Sequence, residues 1–225
     1  MIALEWRGST YWKTNNEVFT VFCSFRTMIQ TQFSIKLRVL CSDNDDEYMN
    51  RQFQEYFHQH RLIHQTSCPH TPKQNGVVEC KNRHILETTH ALLLGAHVPS
   101  SHWHVAVTTV VHLINRMSSR ILGFKTPLQA LAASISVLPT MTLPSRTFGW
   151  VVYVHLHCNQ RTKLDSCARR CLFLGYVTNQ KGYRCYDPTN RWLYITMDVT
   201  FLESEMFYHP FNSSLQGKTH NEELN

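Results

Sequence analysis

No two of the chain's eight cysteines stand in a CxxC pair; they occur at 23, 41, 68, 80, 158, 167, 171 and 185. Zinc ribbons and secreted disulfide frameworks both rest on closely spaced sets, so neither is expected. Reduced thiols in an intracellular chain are the simpler reading. Long apolar runs are missing too: none approaches the ~20 residues that span a bilayer. Glu5 and Arg7 interrupt the only early apolar stretch, which leaves no pattern for a signal peptide.

What is present is 225 residues, 43% of them apolar, enough for one large domain or two small ones. The formal charge of +6 permits an anionic partner without demanding one. From Glu17 to Phe33 apolar side chains recur at three- and four-residue steps, which predicts an amphipathic helix. The alternation Ile35-Lys36-Leu37-Arg38-Val39 predicts a strand over 35–40. Acidic Asp45, Asp46 and Glu47 would then lead a helix with the face Tyr48, Phe53, Tyr56 and Phe57. Ile63 to Thr66 reads as a strand and Ser67 to Gly76 as a loop. A helix over 77–94 follows, with Val78, Ile85, Leu86, Leu92 and Leu93 inward and Gly95 as its stop. Another spans Ser101 to Met117. Helix, strand, helix, strand, helix, helix is the order of an α/β layer with at least one parallel strand pair.

Two prolines between Leu138 and Pro144 mark a boundary, placed at 138–145. Five short segments rich in β-branched and aromatic residues follow: Phe148–His155, Arg170–Tyr176, Tyr183–Tyr186, Trp192–Thr196 and Val199–Phe201. They predict a small all-β barrel, with Asp187-Pro188-Thr189-Asn190 as one of its turns. The polar residues 204–225 are expected to be disordered.

Two acidic residues sit where metal chemistry is plausible. Asp43 closes the first strand, and ligand sites gather outside the carboxyl ends of strands in α/β layers. Glu79 opens a helix whose next turn offers Lys81 and Arg83 to a phosphate backbone. A strand-end and a helix carboxylate suit a divalent ion for phosphoryl transfer. Two solvated surface carboxylates are the competing reading, since 16 acidic residues offer many pairs at any spacing. His58, His60 and His64 lie close together, but a helix end and a strand face them differently, so no metal cluster is expected. Cys171 begins an apolar strand and reads as core.

The words of the sequence are more specific. SCPHTPKQNGVVECKNRHILE (67–87) resembles the central motif of integrases from copia-type LTR retrotransposons. MIQTQFSIKLRVLCSDN (28–44), HWHVAVTTVVHLINRMSSR (102–120), FKTPLQAL (124–131), VYVH, KLD, FLGY, QKGYRCYDP and MDVTF continue it in order, from about Glu17 to Phe201. The resemblance implies a ribonuclease-H-like integrase core at 17–137, joined by a linker at 138–145 to an SH3-like barrel at 146–203. It implies DNA integration by two-metal phosphoryl transfer with Mg2+ or Mn2+, DNA and an integrase oligomer as partners, and the nucleus as the place of action. Asp43 matches the second of three family acids and Glu79 the third. Lys73, Lys81 and Arg83 would touch DNA, and Asn75 and Gly76 would belong to the loop beside the site. Arg169, Arg170, Arg184 and Lys163 tint the barrel basic, as a solvated face or a DNA-contacting one.

Departures from the family pattern are equally specific. Residues 1–16 match nothing, and the strand carrying the first acid, with its antiparallel neighbours, is expected to be missing. So is the family's zinc-binding region. Asp45-Asp46 replace two glycines, Cys80 an arginine, Arg61 a turn glycine, and Trp150 a small cysteine of the barrel's first strand. His90 and Cys167 each replace an arginine. The expectation is therefore a truncated α/β core, catalytically inactive by itself, with a non-catalytic DNA-binding module or a non-functional copy as alternatives.

Overall fold

Aromatic side chains organise the first part of the molecule, seen in a computed structural model that describes residues 15–42, 48–68, 76–134, 143–177 and 180–209. Helix α1 (Asn15–Phe33) turns Val18, Phe19 and Phe22 toward helix α2 (Arg51–His60), which supplies Phe53 and Phe57. Phe19 meets Phe53 edge-on at 5.1 Å, and Phe22 meets Phe57 edge-on at 6.0 Å. Leu37 and Leu40 press on this cluster from strand β1 (Val39–Ser42) and the residues before it. Strand β2 (Ile63–Thr66) pairs parallel to β1, in the register Val39↔Ile63 through Ser42↔Thr66. The parallel pair expected from the element order is present. Its second face is open, with Val39 and Ile63 39% and 57% exposed.

Two local expectations are corrected here, and a third holds. β1 begins at Val39, so Ile35 to Arg38 are not strand. Helix α2 starts six residues after Asp45, capped by Asn50, whose Oδ1 accepts from the Phe53 N–H at 3.0 Å. A carboxylate in its first turn is therefore not what starts it; Asp43 to Glu47 lie outside the described residues. Arg61 does end α2 in a left-handed conformation, φ 52 and ψ 41, at the position where glycine is cheaper by about 1 kcal/mol.

Helix α3 (Gly76–Gly95) is wetter than its sequence suggests. Val78 and Leu86 are 58% and 50% exposed rather than buried, and the side chains it buries are Thr89 and Leu93. Both lie in its last two turns. After a 3-10 turn at Ser100–His102, helix α4 (Trp103–Arg116) buries Val105, Ala106, Thr109 and Val110 as its periodicity predicts. A further helix, α5 (Pro127–Ser134), was not expected. Its signal is legible: Thr126 and Gln129 exchange side-chain and backbone hydrogen bonds in a capping box, with Pro127 at the first helical position.

Strands β3 (Trp150–His155), β4 (Ala168–Tyr176), β5 (Tyr183–Asp187), β6 (Trp192–Thr196) and β7 (Val199–Met206) form one antiparallel sheet in the order β6-β5-β4-β3-β7. All five expected strands exist, β7 running on past Phe201. The Asp187 turn forms as expected: its buried carboxylate accepts from the backbone N–H of Thr189 at 2.9 Å and the Asn190 side chain at 2.7 Å. Trp150 is half-buried beside a register shift and joins neither buried cluster, so it does not overpack the barrel. The chain after His209 lies outside the described residues.

β4 explains how the helices and the sheet meet. Cys171 and Phe173 face Val152, Val154, Tyr183 and Cys185 inside the sheet. Leu172 and Leu174 face Leu93, Ala96, Val98, Val105 and Ala106 of α3, α4 and the turn between them. A strand covered on both faces reads as a continuous apolar run, which is how residues 171–176 look. Thr109 Oγ1 seals the contact by donating to the Leu174 carbonyl at 2.9 Å. An apolar cluster thus crosses the boundary expected at 138–145. Among the described residues no helix is long and apolar enough to cross a membrane.

Burial also sets the thiol chemistry. Cys171 and Cys185 are fully buried. Burial, and then the Asp187 carboxylate, pushes the Cys171 thiol up to about 12 from its ordinary 9.0. Burial pushes Cys185 up as well. Below pH 9 both thiols are neutral folded or unfolded. Between about 9 and 12 only the unfolded chain ionises them, so their stabilising contribution is lost as pH rises. Native iodoacetamide labelling at pH 8 is expected to modify Cys41, Cys68, Cys80, Cys158 and Cys167, which are exposed, and to spare Cys171 and Cys185 until denaturant is added. Rapid native labelling of all eight would contradict this core.

Candidate metal and nucleic-acid site

Two parallel strands send their carboxyl ends in one direction, and the Ser67 N–H bonds the Ser42 carbonyl at 3.0 Å to tie those ends together. Asp43 is the next residue after β1, and the segment leading to α3 leaves the same end of β2. Connectivity alone fixes that Asp43 directly follows β1 and that the segment before α3 begins where β2 ends. Asp43, Lys73 and Asn75 themselves lie outside the described residues.

Glu79, Lys81 and Arg83 are described. Glu79 occupies the first turn of α3, exposed, where the partial positive charge of the helix N-terminus favours a carboxylate. Arg83 follows four residues later on the same face and is also exposed. Lys81, half-exposed, lies two residues on and so points roughly to the opposite side. The apolar cluster that joins α1, α2 and β1 contains no residue of α3. Among the described residues, the side chains that α3 buries lie in its last two turns.

The donor chemistry suits a hard divalent cation, since Glu79 offers carboxylate oxygens to solvent. Yet no group of three His, Cys, Asp or Glu that could hold a metal ion stands together among the described residues. These residues alone do not build a metal centre. His58, His60 and His64 likewise form no such group. His64 instead rests on the Phe57 ring at 4.9 Å, and its Nε2 lies 2.8 Å from Ser42 Oγ.

The sequence offers no signal that joins Ser42, the last residue of β1, to His64 on β2. Their pairing depends on the β1–β2 register, which no local pattern encodes. Two of the barrel's four singled-out cations are held in ion pairs. Arg170 bonds Glu205 at 2.6 Å and lies over the Phe207 ring, and Arg169 approaches the Asp187 carboxylate at 3.8 Å. Half-exposed pairs of this kind contribute little stability, but they leave less free charge for DNA. Lys163 is exposed, with no ion pair among the described residues.

Comparison with known proteins gives the chain's relatives. Residues 151–214 match the retroviral polymerase SH3-like domain. Over 197 residues the chain is 38% identical to the retrovirus-related Pol polyprotein from transposon TNT 1-94 of Nicotiana tabacum, covering 86% of this chain and 14% of the polyprotein. It is 35% identical over 192 residues to the Pol polyprotein from transposon RE1 of Arabidopsis thaliana, covering 85% of this chain and 13% of that protein. The chain thus spans about one seventh of the curated relatives it matches.

Among solved structures, the HTLV-2 integrase catalytic core domain in complex with magnesium is 20% identical, with a TM-score of 0.39 over 52% of this chain and 70% of that one. The simian T-cell lymphotropic virus intasome in complex with PP2A regulatory subunit B56 gamma is 14% identical, with a TM-score of 0.44 over 88% and 64%. By its identity to the plant polyproteins and its SH3-like match, the chain is similar to a segment of retrovirus-related Pol polyproteins from plant transposons that includes the SH3-like domain.

Proposed function

We propose that this chain is a DNA-integration segment of such a polyprotein, in which Asp43 and Glu79 are two of the carboxylates of a divalent-metal site. The observation that carries this reading is their placement: one directly follows a parallel strand, the other is exposed in the first turn of α3. Asp43 and Glu79 would offer carboxylate oxygens to a Mg2+ or Mn2+ ion, which would supply charge stabilisation for phosphoryl transfer. The chain's own residues bind and orient. Lys73, Lys81 and Arg83 engage phosphates, and Asn75 stands in the loop that leads into α3. Self-association and action in the nucleus belong to the same proposal.

A two-ion centre takes more than two carboxylates, so the 225-residue chain supplied alone is expected to bind DNA without joining strands. Strand transfer in manganese checks this: activity lost on Asp43→Asn would show that the chain is a complete enzyme. Replacing Lys81 and Arg83 by Ala is expected to make duplex affinity less salt-dependent, the log–log slope falling by about 1.8 for two lost phosphate contacts. An unchanged slope would remove α3 from the interface.

A further inference from the structure

The turn between α4 and α5 displays apolar side chains to solvent on a tightly bonded backbone. Ile121, Phe124 and Met117 are 95%, 73% and 64% exposed. Nothing about the turn is loose. Ser119 N–H bonds the Lys125 carbonyl at 3.1 Å, and Phe124 N–H bonds the Ser119 carbonyl at 2.9 Å. The capping box at Thr126 and Gln129 holds the chain immediately beyond.

Gly123 and Phe124 are both left-handed, with φ of 62 and 63. Glycine takes this conformation freely, whereas a bulky aromatic there is an outlier. A strained residue left 73% exposed gains little packing to offset its strain. Such strain at an exposed position is a reason to look for a partner.

The surrounding charge says which partner. Arg120 and Lys125 flank the turn, both exposed and without ion pairs among the described residues. Between Glu87 and Asp165 the sequence contains no Asp or Glu. Four apolar side chains, Leu122 at 37% exposed beside the other three, are too few for a stable protein interface, which buries on the order of 1,200–2,000 Å2. A short turn also lacks the long apolar face by which a helix lies in a membrane. An isolated ring between two cations is instead the pattern of nucleic-acid contact, where an aromatic stacks on a base and cations hold the flanking phosphates.

We infer that the 119–125 turn is a second nucleic-acid contact, in which Phe124 stacks on an unpaired or partly unstacked base while Arg120 and Lys125 engage its phosphates. It shares its DNA partner with the proposed function but uses none of the α3 residues.

The full 225-residue chain, titrated into dye-labelled oligothymidine and followed by anisotropy, tests this. Phe124→Gly is the informative variant, because it relieves the left-handed strain while deleting the ring. Its urea midpoint is expected to hold or rise while affinity falls roughly tenfold. Phe124→Trp should retain binding, and its emission should be quenched by the strand. Arg120→Ala with Lys125→Ala should flatten the log–log salt slope by about 1.4.

Wild-type affinity in Phe124→Gly would overturn the inference. So would a loss seen only on anionic vesicles, which would assign the turn to a membrane surface. The Lys81→Ala, Arg83→Ala variant separates the two proposals: if it binds normally while Phe124→Gly does not, the α3 reading falls and the turn stands. The reverse result leaves α3 and removes the turn.

Discussion

Gly175→Val is expected to unfold the helix-on-sheet half of the molecule. Gly175 has φ 128, and a Cβ built on it would overlap Thr109 Oγ1 on the facing helix α4. Three costs coincide. An L side chain in this backbone region is strained by about 1–3 kcal/mol. Overpacking a filled contact adds about 1–3 kcal/mol. Displacing Thr109 also breaks its bond to the Leu174 carbonyl, worth about 1 kcal/mol and leaving a buried acceptor. Together they rival the roughly 5–15 kcal/mol by which a domain is stable. Loss of the cooperative urea transition, followed by tryptophan fluorescence, is the expected result. In the milder Gly175→Ala background, Thr109→Ala should restore the steric part but not the backbone part, so the cycle should show positive coupling without full recovery. A Gly175→Val chain unfolding at the wild-type midpoint would mean that α4 does not sit on β4.

The second large effect concerns where the molecule divides. Cutting at the prolines would yield 143–209 as a free-standing barrel. Phe148, Leu172 and Leu174 are 3%, 0% and 1% exposed because α3 and α4 cover them. Uncovering each forfeits about 1.5–3 kcal/mol of apolar burial, a sum close to the whole stability of a small domain. Residues 76–209 are expected to unfold in one sigmoidal urea transition. Residues 143–209 should unfold at much lower urea, bind a hydrophobic dye, or aggregate through the bared face. Equal midpoints for the two pieces would restore the boundary at 138–145 as a true division of the fold.

Reading the chain alone succeeded where the physics is local. Aromatic and β-branched alternation produces strands wherever it is long enough, and the five barrel segments follow it. Arg61 is left-handed because a helix must end there, and the end geometry is set within a few residues. The motif words around Asp43 and Glu79 likewise carried the family. Where the reading failed, the missing information was long-range. Val78 and Leu86 have helical spacing suited to burial, yet spacing says nothing about whether a neighbour arrives to cover them. The Ser42–His64 pair needs a strand register that only the α1–α2 aromatic cluster supplies. The α5 cap and the two-sided apolar run of β4 were legible and were passed over.

The sequence by itself determined most of the elements, their order and the resemblance to the Pol polyproteins. Tertiary structure alone decided that α4 and the end of α3 close against β4 across the proline-marked segment. It also decided that Phe124 stands in solvent on a strained turn. Hydrophobic burial is non-directional and rewards any apolar face that finds another. A single strand of sequence therefore states that a face exists, and the folded chain chooses its partner.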